Sequence, residues 1–221
     1  MTTYACAAVL AVTGTALAQT PFTETFDAGN AGWQDGPGNP APFAGGAILS
    51  QTLDNATDFF APFPGSPALA TIYRANETSS GGAFTGDYVA GGILELSFDI
   101  TVLPDPAGPA GPFGLSVRIA NSVSSTGVLT QDAFLLPGPN SVTLSLDLAD
   151  VTVSNPGAGQ TAEQILSDVR TLTFFAVQIP SVSPTAGGVG FLLDNVAIDV
   201  PAPGALSAFA LAGLAGVRRR R

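Results

Sequence analysis

A chain of 221 residues that is 46% hydrophobic and 11% charged, with 26 Gly and 18 Pro, is sized for one domain plus short appendages and is too apolar to be disordered. It holds no His and no Lys, and its single cysteine is Cys6, so an imidazole triad, a His-rich zinc site, Schiff-base chemistry and a disulfide framework are excluded. All 17 acids lie between Glu24 and Asp199, where only Arg74, Arg118 and Arg170 oppose them; three against seventeen leaves −14, a charge that disfavours nucleic acid as a partner.

Residues 1–18, MTTYACAAVLAVTGTALA, form an uncharged apolar stretch ending in Ala16-Leu17-Ala18. Small residues at Ala16 and Ala18 fit signal-peptidase cleavage before Gln19, although no basic residue precedes the apolar run. Signal peptidase is therefore an expected partner, and export the expected route. A buried N-terminal helix is the alternative, disfavoured because a helix of a soluble domain ordinarily has a polar face.

From Gln19 to Val200 the dominant period is two, which predicts half-buried strands. Leu94, Leu96, Phe98, Ile100 and Val102 alternate with Glu95, Ser97, Asp99 and Thr101. Leu115, Val117 and Ile119 flank Ser116 and Arg118; Val142, Leu144, Leu146 and Leu148 flank Thr143, Ser145 and Asp147; Phe175, Val177 and Ile179 flank Ala176 and Gln178. Each set predicts one core face and one solvent face, as in antiparallel sheets. Weaker strands are expected over 22–26, 47–53, 68–74, 83–89, 128–136 and 189–200. Thr161 is a capping residue for one short helix over 161–169. About ten strands in some 180 residues, without alternating helices, predict an all-β antiparallel sandwich or jelly roll.

Few side-chain chemistries remain for a site. Glu95 and Asp99 share a strand face, but no neighbouring acid completes a paired-carboxylate motif, so the domain is read as non-catalytic. Sugar binding requires exposed aromatic faces; Trp33, Tyr73 and Tyr88, with Phe59, Phe60 and Phe63 in a Pro-rich segment, are the candidates, core packing being the alternative. Phe22-Thr23-Glu24-Thr25-Phe26-Asp27, Gly32-Trp33 and Phe191-Leu192-Leu193-Asp194-Asn195-Val196-Ala197-Ile198 are similar to the first and last strands of galactose-binding-like and carbohydrate-binding-module jelly rolls. That resemblance implies paired terminal strands and a structural calcium near the first, for which Glu24, Asp27 and Asp194 are candidate ligands. Solvated strand-end acids are the alternative. Extracellular polysaccharide is the partner it implies.

The tail reads Val200-Pro201-Ala202-Pro203-Gly204, then an apolar segment from Ala205 to Val217, then Arg218, Arg219, Arg220 and Arg221. At 1.5 Å per residue such a helix reaches about 20 Å, short of the roughly 30 Å bilayer core, so it suits a transient membrane signal better than a permanent anchor. Proline motif, apolar segment and terminal arginines together resemble the PEP-CTERM sorting signal, with Ala202 where that family has Glu. The resemblance implies processing by an exosortase-like enzyme and display at the surface of a Gram-negative-type bacterium. The expected organisation is thus a signal peptide over 1–18, a jelly-roll domain over 19–199 and a sorting tail over 200–221.

Overall fold

A computed structural model describes residues 19–50, 69–103, 113–121, 126–130, 132–154, 159–177 and 189–200. The expected signal segment, its cleavage residues Ala16 and Ala18, the Phe59–Phe63 segment, the Pro201–Gly204 motif and the four terminal arginines lie outside the described residues. Among the described residues no helix is long and apolar enough to cross a membrane.

Two antiparallel sheets face each other in a jelly-roll β-sandwich. The six-stranded sheet contains β1 (Phe22–Glu24), β3 (Phe43–Ala44), β4 (Ala47–Leu49), β6 (Glu95–Val102), β10 (Gly138–Ser145) and β13 (Phe191–Asp199). Its order is β10-β6-β13-β4-β3, and β1 also pairs with β13. The seven-stranded sheet contains β2 (Gln34–Asp35), β5 (Leu69–Ala75), β7 (Phe113–Ala120), β8 (Gly127–Leu129), β9 (Ala133–Leu135), β11 (Thr152–Val153) and β12 (Thr171–Val177). Its order is β11-β8-β7-β12-β5-β2, with β9 beside β7.

The alternation in β6 is realised in full. Leu96, Phe98, Ile100 and Val102 are buried, while Glu95, Ser97, Asp99 and Thr101 are partly exposed. The inner face of the other sheet supplies Leu115, Val117, Ile119, Leu172 and Phe174 to the same core. At one end Trp33 stands edge-on to Phe26 and Phe84. Its indole N–H donates to the Ser80 hydroxyl at 3.0 Å, so the buried ring leaves no polar group unmet.

Several expectations are corrected. Phe175 does not face the core; Phe174 and Ala176 do, and Phe175 is half-buried on the opposite face. Both 174 and 175 are Phe, so periodicity cannot choose the register, and a one-residue slip exchanges the faces. Residues 83–89 do not form a strand. They lead into the short helix α1 (Tyr88–Gly91), which Asp87 caps by accepting from the Ala90 N–H at 2.8 Å. Gly92 closes it in the left-handed conformation, at φ 67°. The expected 128–136 strand is split into β8 and β9, both paired with β7; between them the Val117 N–H donates to the Thr130 hydroxyl at 3.1 Å while the Val117 carbonyl accepts from the Thr130 N–H at 3.0 Å. Leu94 and Leu148 lie beyond the ends of β6 and β10 and are exposed. The helix α2 (Ala162–Leu166) forms as expected, with Thr161 and Gln164 making a reciprocal capping box.

Candidate functional site

The candidate stacking residues Trp33, Tyr73 and Tyr88 are all buried, which corrects the expectation that they meet a sugar. Trp33 fills the core end described above. Tyr73, on β5, is a strut between the sheets: its hydroxyl accepts from the Ser50 N–H at 3.0 Å and donates toward the carbonyls of Ile48 and Phe191. Tyr88 donates to the Phe84 carbonyl at 2.9 Å. Burial pushes both phenols far above their ordinary pKa, so they stay protonated. Each ring is anchored at its polar tip, as large buried aromatics require.

The candidate calcium ligands are brought together only in part. β1 pairs with β13 as expected, with Glu24 opposite Val196. The Glu24 carboxylate turns back to its own chain and accepts from the Phe26 N–H at 3.0 Å. Asp27 accepts from the Thr25 hydroxyl at 2.7 Å. Asp194 sits at a bulge where Asn195 takes φ 49° and the pairing with β6 shifts register. It lies opposite Asp99, which is held by the Ser141 hydroxyl at 2.6 Å and the Asn195 amide at 2.8 Å. Burial, then repulsion from Asp99 and Asp27, raises the Asp194 pKa, against the opposing bond from the Asn195 N–H. Among the described residues no group of three or more acids, histidines or cysteines is arranged to hold a metal ion. Gln19, the expected first residue after cleavage, donates its backbone N–H to the Asp87 carbonyl at 2.9 Å.

The outer face of the seven-stranded sheet presents a different surface. Leu172, Phe174 and Ala176 point inward, so Thr171, Thr173 and Phe175 point outward. Register sets Arg74 of β5 and Arg118 of β7 directly opposite Thr173 on either side. Gln34 extends that row through β2 and Leu129 through β8. Two residues further along β12, Phe175 lies between Thr71 and Ser116. Beyond it Gly114 pairs with Phe134, which is 73% exposed.

A depression of about 420 Å³ opens where Arg74, Arg118 and Arg170 converge over Thr171 and Thr173. Every arginine between Gln19 and Val200 therefore lines one hollow. The outward positions of β6 and β13 on the other sheet carry Glu95, Asp99, Asp194 and Asp199 instead. Charge is thus split between the two outer faces. Arg118 was legible as a solvent-facing residue from the alternation of β7. The convergence was not, because the three arginines are far apart in sequence and meet only through the strand order.

No family model matches the sequence, and no curated protein does. Among solved structures, the chain is similar to CBM27-1 of Caldicellulosiruptor saccharolyticus in complex with mannohexaose. That match has TM-score 0.49 and 11% identity, and covers 82% of this chain and 97% of that one. It is also similar to CtCBM11, with TM-score 0.40 and 12% identity over 82% of this chain and 95% of that one. The L4b domain of human laminin alpha-2 matches with TM-score 0.43 and 11% identity, covering 83% of this chain and 98% of that one.

Proposed function

We propose that this is an exported, non-catalytic surface or matrix protein whose β-sandwich binds extracellular polysaccharide on the outer face of its seven-stranded sheet. The observation that carries the reading is the composition of that face. Hydroxyl and amide groups from Gln34, Thr71 and Thr171 share it with the half-buried Phe175 and the exposed ring of Phe134. Sugar recognition combines such elements, with apolar rings for the pyranose faces and polar groups for the hydroxyls.

Glycoside hydrolysis needs two acids held about 5–10 Å apart across a cleft. Glu95 and Asp99 instead lie four residues apart on one open strand face, about 13 Å at strand rise. Asp99 is already engaged by Ser141 and Asn195. The expected leader and the tail from Pro201 to Arg221 supply the address, with the tail read as an exosortase-type sorting signal. Affinity electrophoresis of the full chain through a panel of neutral and acidic polysaccharides tests the binding. Retardation by at least one polymer is expected; identical mobility in all of them would remove the glycan-binding reading.

A further inference from the structure

Two of the three arginines in the hollow have no acid to pair with among the described residues. Arg170 is committed, making ion pairs at 2.7 Å to both Glu77 and Asp168. Among the described residues Arg118 reaches the Ser154 hydroxyl alone, at a long 3.5 Å. Arg74 and Arg118 stand two strands apart across Thr173, about 10 Å between backbones at the usual strand spacing. Their charges repel, and burial followed by the presence of Arg74 lowers the Arg118 pKa.

The sequence holds carboxylates in excess, yet none neutralises this pair among the described residues. Local packing also favours the arrangement. A Cβ on residue 127 would lie 2.8 Å from the Arg118 Nε and 2.8 Å from the Ile119 carbonyl oxygen. Only glycine there lets the Arg118 side chain lie down along the sheet. The acids on the outer face of the opposite sheet lie on the far side of a sandwich whose layers are about 10 Å apart, out of ion-pairing reach of Arg74 and Arg118. The patch is therefore locally cationic within an acidic domain.

We propose that Arg74 and Arg118 form a two-pronged cradle for the acidic groups of a polysaccharide, carboxylates or sulfate esters carried on nearby sugar units. The inference rests on the glycan-binding reading above and adds the chemical class of the ligand. Guanidinium forks match both oxyanions bidentately. Their spacing suits a polymer with intermittent charge, while Glu77 and Asp168 at the rim disfavour a dense polyphosphate.

The test is affinity electrophoresis of the full chain in polygalacturonate, dextran sulfate and neutral dextran at two salt concentrations. Retention by one or both acidic polymers is expected, weakening as salt rises. R74Q and R118Q should each reduce affinity about tenfold, and the double variant should abolish it. R74K/R118K should keep part of the affinity, having the charge without the fork. Unchanged circular dichroism would show that the variants fold. Polygalacturonate against dextran sulfate separates the two oxyanion sources. Retention by acidic polymers that survives R74Q/R118Q would overturn the cradle. Retention by neutral dextran alone would overturn it while leaving the glycan-binding reading intact; no retention here or in the wider panel would remove both. Self-association in sedimentation that R74Q/R118Q abolishes would assign the face to the acidic sheet of a second copy, and would also overturn the cradle.

Discussion

Tyr73 shows how one side chain sets the relation between the two layers. Its ring leaves β5 and ends on the backbone of the opposite sheet, where the hydroxyl meets Ser50, Ile48 and Phe191. When this buried hydroxyl is removed the Ser50 N–H and the Phe191 carbonyl keep the 2.9 Å bond they make to each other, but the Ile48 carbonyl loses its side-chain donor where water does not reach. Tyr73→Phe should therefore lose about 1–3 kcal/mol of folding stability, read from chemical denaturation, with secondary structure unchanged. A loss near zero would show that the hydroxyl is not the strut. Trp33 and Tyr88 follow the same rule, each buried ring carrying one satisfied polar atom. For these three residues, aromatic identity signals packing rather than ligand contact.

At the scale of single elements, β13 is the most informative strand. It pairs with β1, β4 and β6, and it carries the bulge that sets Asp194 opposite Asp99. A like-charged pair directly opposite across strands is destabilising, on the order of a few tenths of a kcal/mol. Because the folded-state pKa of Asp194 is raised, the folded protein holds the proton more tightly than the unfolded chain. Stability from this group is full below the ordinary aspartate range, near 3.8, and is lost as pH rises through the raised value. Asp194→Asn keeps an acceptor for the Asn195 N–H and removes the repulsion. Its melting temperature should exceed that of the parent at pH 7 and converge with it at pH 3; an equal difference at both pH values would contradict the assignment. Elements of this kind were only partly legible in the sequence. β6 and β7 were readable because each carries a long polar–apolar alternation between turns. The phase of β12 is not legible, because adjacent phenylalanines leave it open, and neither is the helix within 83–89, because the apolar residues there mask the cap that Asp87 supplies to α1. Nothing in the local pattern around Asp194 announced a bulge.

For the whole molecule, the division of charge between two outer faces is the organising feature. The strand order gathers Arg74, Arg118 and Arg170 over one sheet and leaves Glu95, Asp99, Asp194 and Asp199 on the other. From the sequence alone the domain is simply acidic, because a net charge contains no information about which strands become neighbours. The same topology removes Trp33, Tyr73 and Tyr88 from solvent and brings forward Phe134 and Phe175, which alternation had not marked as site residues. A ligand bound on this side would cover these two rings and leave Phe43, 45% exposed on β3 of the other sheet, in solvent. Hydroxyl-radical footprinting of the full chain, with and without whichever polysaccharide retards it, is the most direct measurement. Loss of labelling at Phe134 and Phe175 with Phe43 unchanged is the predicted result; protection of Phe43 with the other two unaffected would contradict the account.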